Sequence, residues 1–484
     1  MSGMQDRMEL WAIVPELLLA SLVVVLLPLG ALLPPARKRL TSWFALAGLA
    51  VAAAVSLVML GWRIQPVFGD TYAVDPFATY FKLFATLASA FVLLASESRF
   101  RGLPHEGAVP ALLCLACLGV VGLSASQDLA LIALFLQLIA VASYILVGVV
   151  KEDRAATEGA LKLFLYSATA GAVMLYGMSL LYGLTGSLRL PELAARLPAA
   201  PTAVVLAALG LVVVGYGFKM TLVPFHAWAP DTYQGAPTPI AGFLAVAPKA
   251  AALAVLTRTL VVAFPASHGH WPEIFAVLAA ITMTVGNVFA LLQSSTKRLL
   301  AYSSIGQAGY LLVGIAAAGR NSLALPGLLL YLAVYLFMNL GAFLAVDAIE
   351  RQIGSDMVEH FSGLGRRLPW SAAVLAVSLL ALAGIPPLGS FVGKTMLFGA
   401  ALGAGWTWLA VVMALNVALS LFYYVRVLEA LYFRPVRATH FSCEGDPMLL
   451  RGTLIVLTAG VIVSGVLPER WATLAAKASI LLVR

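Results

Sequence analysis

Lys219, Lys249 and Lys394 stand inside long apolar runs, VVVGYGFKMTLVPF, FLAVAPKAAALAVL and GSFVGKTMLFGA. A charged Lys at the centre of a membrane helix costs roughly 2.5–3.5 kcal/mol on insertion scales. A chain that retains such residues turns them toward a polar interior that binds or moves charge. An amine can do this by gaining and losing a proton. Its ordinary pKa is about 10.4; burial disfavours the charged form and a nearby carboxylate favours it. Moving a charge beside such a lysine therefore toggles it, and the three residues read as a proton relay.

Other groups bear on the same chemistry. Lys162 follows Glu158 by four residues, so the two share a helix face and can pair. His226 and Asp231 lie in PFHAWAPDTYQGAPTP, which reads as a loop where His226 could switch charge near neutral pH and Asp231 could cap or relay. Lys82 sits close to the end of its apolar segment and reads as a snorkelling side chain. Arg258 and Arg426 lie deeper; Arg keeps its proton, so both read as structural partners of buried acceptors. Cys114 and Cys117 form a CxxC with no second Cys or His pair beside it, and read as small apolar packing residues. Cys443 reads as a lone loop residue, and His268 and His270 as surface groups. No metal or iron–sulfur ligand set is evident.

The elements that must position these residues are membrane helices. Of 484 residues, 62% are hydrophobic and 11% charged, and the mean hydropathy is +0.97. A soluble globule carries about 25% charged residues. In lipid the backbone must be satisfied within helices or a closed barrel, and the long unalternating runs select helices. Fourteen candidate spans of about 20 residues fall near 10–33, 41–62, 77–96, 109–124, 128–150, 160–185, 203–222, 237–264, 272–293, 299–318, 325–348, 370–400, 405–432 and 452–468. The first of these is long enough to span and ends in PPARKR, not in a cleavage site.

Charge sets the orientation. Lys and Arg crowd the loops at 34–40, 97–108, 151–159, 294–298, 349–369 and 433–451, fifteen in all. The opposite loops hold four: Arg63, Arg189, Arg196 and Arg320. The positive-inside rule then places both termini outside, periplasmic in a bacterial inner membrane. The net charge of +8 thus reflects membrane topology, not nucleic-acid binding.

Two spans are interrupted in a matched way. The seventh reads FKMTLVPFHAWAPD and the twelfth LAGIPPLGSFVGK, each with prolines and a neighbouring lysine. Paired broken helices in matching halves point to an inverted-repeat transporter. The pattern predicts an all-α polytopic membrane protein of about fourteen transmembrane helices, with two inverted five-helix repeats and breaks in helices 7 and 12. The corresponding units are an N-terminal three-helix segment (1–108), a first half-channel repeat (109–264), a second (265–432) and a C-terminal helix (433–484). No Gly-rich phosphate loop or haem, flavin or nucleotide site is apparent.

FKMTLVPFHAWAPDTYQGAPTPIAGFLAVAPKAA, SSTKRLLAYSSIGQAGYLLVG and LAGIPPLGSFVGKTMLF closely resemble the antiporter-like subunits of respiratory complex I, and the resemblance spans essentially the whole chain. It implies a proton-translocating membrane-arm subunit of an NADH:quinone oxidoreductase, driven by quinone reduction elsewhere. FMN, iron–sulfur clusters, NADH and quinone would belong to partner subunits, with none in this chain. The partners would be other membrane-arm subunits, including sibling antiporter-like ones, and the lipid bilayer, with no nucleic acid. Lys219 would be the central carrier of the broken seventh helix, Lys249 the link to the second half, and Lys394 the release group; Lys162 matches a lysine often found on helix 6.

One position departs. The resemblance puts a glutamate on helix 5 opposite the helix 7 lysine, and Gln137 stands there instead. Asp128, the remaining carboxylate of that span, lies about 13 Å away along the helix. Gln137 therefore implies a carboxylate from another helix or subunit, an altered scheme, or a silent channel. A multisubunit cation/proton antiporter and a membrane-bound hydrogenase are the alternative assemblies.

Overall fold

The computed structural model describes residues 10–60, 65–103, 105–264, 271–436 and 446–481. His268, His270 and Cys443 lie outside the described residues. The described residues form a predominantly helical membrane bundle. Its long helices are α1 (Val14–Leu32), α2 (Arg39–Met59), α3 (Pro76–Ser96), α4 (Ala108–Ala125), α5 (Leu129–Val147), α6 (Arg154–Thr185) and α7 (Thr202–Met220). After a break come the short α8 (Trp228–Gly235), then α9 (Thr238–Arg258), α10 (Trp271–Leu291), α11 (Thr296–Ala317) and α12 (Ala324–Ile353). The last are α13 (Pro369–Ala383), α14 (Gly389–Gly403), α15 (Thr407–Phe433), α16 (Met448–Val466) and α17 (Pro468–Ala478).

Among the described residues, thirteen helices are long and apolar enough to cross a membrane. The overlong twelfth span is the exception: it is split into α13 and α14, fifteen residues each. Two features escaped the hydropathy pattern. A small hairpin pairs Gln65–Val67 with Tyr72–Val74. The amphipathic α17 follows α16 without a long apolar run.

Acidic and hydroxyl caps start the helices. Asp75 Oδ1 accepts from Ala78 N at 2.7 Å, Asp128 from Ala130 N at 2.8 Å and Asp153 from Ala155 N at 2.8 Å, while the Ser295 hydroxyl accepts from Arg298 N at 3.2 Å. Each satisfies a backbone donor that a helix start leaves unpaired. Asp128 is thereby committed to the N-terminal end of α5.

Burial sorts the helices into centre and rim. Every residue of α9 is buried, as are 20 of the 22 residues of α11 and 23 of the 30 of α12. α1 and α2 bury only 6 of 19 and 7 of 21 residues. The sequence of α9, TPIAGFLAVAPKAAALAVLTR, is apolar on every face, as a helix enclosed by other helices must be. Its Lys249 lies eleven residues from Thr238, about 17 Å along the axis and so near mid-depth.

Lys82 corrects the snorkelling expectation. It is 1% exposed and its Nζ is 2.7 Å from Glu16 Oε1 on α1. The Tyr72 hydroxyl donates to the same carboxylate. A counter-charge brought from α1 makes full burial tolerable. Arg258 is structural, as expected: both its terminal nitrogens meet Asp75, at 2.8 and 2.9 Å, with neither side chain exposed. Arg426 donates to the carbonyls of Leu291 and Gln293 at 2.7 and 2.5 Å. Cys114 and Cys117 are buried, free thiols.

Candidate functional site: a line of buried amines and hydroxyls

Lys249 is enclosed on all sides. Its Nζ donates to the Ser304 carbonyl at 2.6 Å and the Ser304 hydroxyl at 2.5 Å. Ser304 Oγ is in turn 2.8 Å from the Tyr335 hydroxyl, which reaches the Ala245 carbonyl at 3.2 Å. The partners are neutral oxygens from α11, α12 and α9. Such oxygens accept from an ammonium or an amine alike, so loss of the proton strands no buried counter-charge.

Three residues beyond Ser304, and so about 4.5 Å along α11, stands Gln307. Its Nε2 donates to the Leu382 carbonyl at 3.1 Å and to the Tyr424 hydroxyl at 3.2 Å, and the Tyr331 hydroxyl donates to its Oε1. Tyr424 also meets Ser303 Oγ at 2.6 Å. Lys394 completes the line. Its Nζ donates to that same Leu382 carbonyl at 2.8 Å and to the Ala383 carbonyl at 3.1 Å. These are the last carbonyls of α13, left without helix partners by the break at Gly384–Leu388. An interrupted helix C-terminus is a natural seat for a cation.

The first break is built differently. α7 ends at Met220, and Thr221 follows in the left-handed region at φ 60°. A β-branched residue there is strained, and strain of this kind concentrates at functional sites. Leu222 N returns to the Gly217 carbonyl at 2.8 Å and the Trp228 indole donates to the Phe218 carbonyl at 3.1 Å, so the opened turn stays satisfied. Lys219 lies in the last turn of α7 and is 7% exposed. It lines a cavity of about 10 Å³ with Leu136, Gln137, Ser167 and Gly171, among others. That space holds about one water. Gln137 and Lys219 are thus brought together, and no carboxylate lies within ion-pair distance of Lys219 among the described residues. Glutamate has nearly the shape of glutamine, so Gln137→Glu should fold normally. It would anchor the Lys219 ammonium and slow proton release there about tenfold for each ~1.4 kcal/mol of added attraction. Single-turnover proton release from the intact complex checks this, and an unchanged rate would show Gln137 to be indifferent.

A charged cluster lies at the positive-loop end of the bundle. Lys162 Nζ is 2.6 Å from both Glu158 Oε1 and Asp231 Oδ2, and Asp231 Oδ1 is 2.5 Å from Arg298 Nη1. Asp231 therefore ties α6 to α11. It lies on α8, not in a loop: Pro230 is tolerated in a first helical turn, where its missing N–H is not required. The cluster lines a cavity of about 430 Å³. His226 sits in the connector before α8, half-buried, and is not among the residues lining that cavity. Gly235 allows α8 to close on α6, since a Cβ there would lie 2.2 Å from the Ala155 carbonyl oxygen. Gly235→Ala should therefore cost about 1–3 kcal/mol through forced separation of the two helices. A lower melting temperature of the purified complex is the check.

The buried lysines Lys219, Lys249 and Lys394 were evident from sequence, but Ser303, Ser304, Gln307, Tyr331, Tyr335 and Tyr424 were not. Their one trace was the polar cluster SSIGQ within an otherwise apolar span.

The family profile described as NADH:quinone oxidoreductase/Mrp antiporter, TM matches residues 126–420. The chain belongs to this family. The match begins just before α5 and ends within α15, so it includes Lys219, Lys249, Ser304, Gln307 and Lys394 and leaves Tyr424 and the Glu16–Lys82 pair outside. Family resemblance extends over whole chains. F(420)H(2) dehydrogenase subunit N of Methanosarcina mazei is 36% identical, covering 98% of this chain and 99% of its own. NADH-quinone oxidoreductase subunit N of Anaeromyxobacter sp. (strain Fw109-5) is 40% identical over 92% and 90%. A chain of respiratory complex I from Thermus thermophilus, solved with bound aureothin, superposes with a TM-score of 0.81 at 34% identity, covering 96% and 99%.

Proposed function

We propose that this chain is the N-type antiporter-like membrane subunit of a complex I-type quinone oxidoreductase, and that it moves protons outward through its buried lysines. The hydrogen-bonded line carries the reading: Lys249 to Ser304 and Tyr335, then Gln307 and Lys394 sharing the Leu382 carbonyl. Quinone reduction in partner subunits would drive it, with FMN, iron–sulfur clusters and the electron donor held there. In the proposed cycle a charge displacement along the membrane arm changes the proton affinity of Lys219. Protons then pass by way of Lys249 to Lys394 and leave on the face where both termini lie, periplasmic in a bacterial inner membrane.

Gln137 shapes the scheme. With a neutral partner for Lys219, the charge that toggles it comes from a neighbouring subunit and not from α5. The M. mazei relative favours a second version of the assembly, since the two subunit-N relatives are named for different electron donors, F420H2 and NADH. Co-purification with the donor-binding subunits decides between them. Lys219→Ala in the assembled complex tests the reading itself: proton pumping should be lost from this subunit while the complex still assembles. Intact pumping would make this channel a scaffold.

A further inference from the structure

The cavity beside Lys162 and Asp231 is lined by four carboxylates, and they are not equally bound. Asp231 is clamped between two cations at 2.5 and 2.6 Å, and Glu158 is held by Lys162 at 2.6 Å. Asp356 accepts from the Ser295 hydroxyl at the start of α11. Glu350, near the end of α12, is held loosely: Arg99 Nη2 is 3.7 Å away and Lys297 Nζ 4.0 Å. Its side chain is 18% exposed, and its other oxygen accepts from the hydroxyl of Thr238, the first residue of the lysine-bearing α9. Arg99 from beyond α3, Lys297 from α11, and Asp347 and Arg351 from its own helix also face this corner; Asp347 and Arg351 pair with each other at 2.7 Å.

The interior beyond Glu350 contains orphaned polar atoms. Asn339 is fully buried, and neither its Oδ1 nor its Nδ2 has a partner among the described residues. Asn339 is eleven residues before Glu350, which is three turns, so the two share one face of α12 about 17 Å apart. Tyr335, the partner of Ser304, is one turn further along. The Tyr233 hydroxyl is likewise buried, beside Ser304. Interior polar groups without protein partners are explained by bound water or by a functional role. We propose that the cavity is the proton-uptake mouth on the positively charged side, that Glu350 collects the proton, and that Asn339 and Tyr233 hold the hydrogen-bonded path from it to Ser304 and Lys249. Glu350 gains an O–H bond from a hydronium in the cavity, releasing a water. The same proton then leaves for the interior path, and the carboxylate is restored. This rests on the proton-conducting reading above, and it supplies a collecting carboxylate to a chain whose α5 has none.

The test uses the intact complex in sealed vesicles, with protons moved per electron pair as readout and native-gel yield as the assembly control. Glu350→Gln should lower the ratio, Glu350→Asp should retain most of it, and Asn339→Leu, which touches no ion pair, should lower it as Glu350→Gln does. Lys249→Met is the reference. If Lys249→Met lowers the ratio and neither Glu350→Gln nor Asn339→Leu does, protons enter elsewhere and the uptake proposal is overturned with the relay intact. If none of the three has an effect, both fall. Equal losses in Glu350→Gln and Glu350→Asp would also overturn it, because a structural role loses charge geometry in both.

Discussion

Lys249→Met should leave the complex assembled and slow proton transfer through this subunit by roughly 100-fold, the lower range for removal of a positioned acid–base group. Methionine fills a similar volume and keeps α9 packed. What it removes is the titratable nitrogen and its bonds to Ser304, at 2.6 and 2.5 Å. α9 is buried along its whole length, so the site of Lys249 meets neither lipid nor bulk water. The check is pumping by purified complex in vesicles, alongside quinone reduction measured with the proton gradient dissipated. Full pumping in the variant would remove Lys249 from the path.

The second large effect is on stability. Arg258→Leu should destabilise the subunit by about 3–5 kcal/mol, because it strands the Asp75 carboxylate in a site with no solvent access. Asp75 is doubly employed: it caps α3 through Ala78 N and binds Arg258 through both oxygens. Arg258 further donates to the Ser124 carbonyl at 3.2 Å, so one guanidinium joins α9, α3 and the end of α4. The expected result is loss of this subunit from the complex on native gels. The double variant Asp75→Asn with Arg258→Leu should recover much of it, since the stranded charge is gone and Asn retains a capping oxygen. Equal loss in single and double variants would mean that packing, not charge, decides.

Much of the architecture was readable because lipid leaves few choices. Hydropathy located the spans, proline marked both breaks, and the insertion cost of Lys219, Lys249 and Lys394 drew attention to them before any fold was known. Gln137 was readable as a missing charge, and its approach to Lys219 follows from two spans that the fold packs together. Neutral hydrogen-bonding groups carried no such signal. Ser304, Gln307 and Tyr335 cost little in a helix, and the residues that give them meaning are far off in the chain: Tyr424 is 121 residues from Ser303, and Leu382 is 75 from Gln307. Lys82 was misread for the same reason. Its partner, Glu16, comes from another helix, so local sequence showed a lone cation where the fold supplies a pair. Asp231 was placed in a loop because Pro230 suggested a breaker, whereas its position in the first turn of α8 makes it compatible with a helix.

In the proposed cycle Lys394 is the group that releases the proton, and it sits where the buried line leaves α11 for the broken α13, sharing the Leu382 carbonyl with Gln307. The most direct test is the number of protons released per electron pair by the intact complex in sealed vesicles, wild type against Lys394→Met, at matched rates of quinone reduction. The ratio should fall in the variant. An unchanged ratio, with the variant subunit present in the complex, would contradict translocation by this chain.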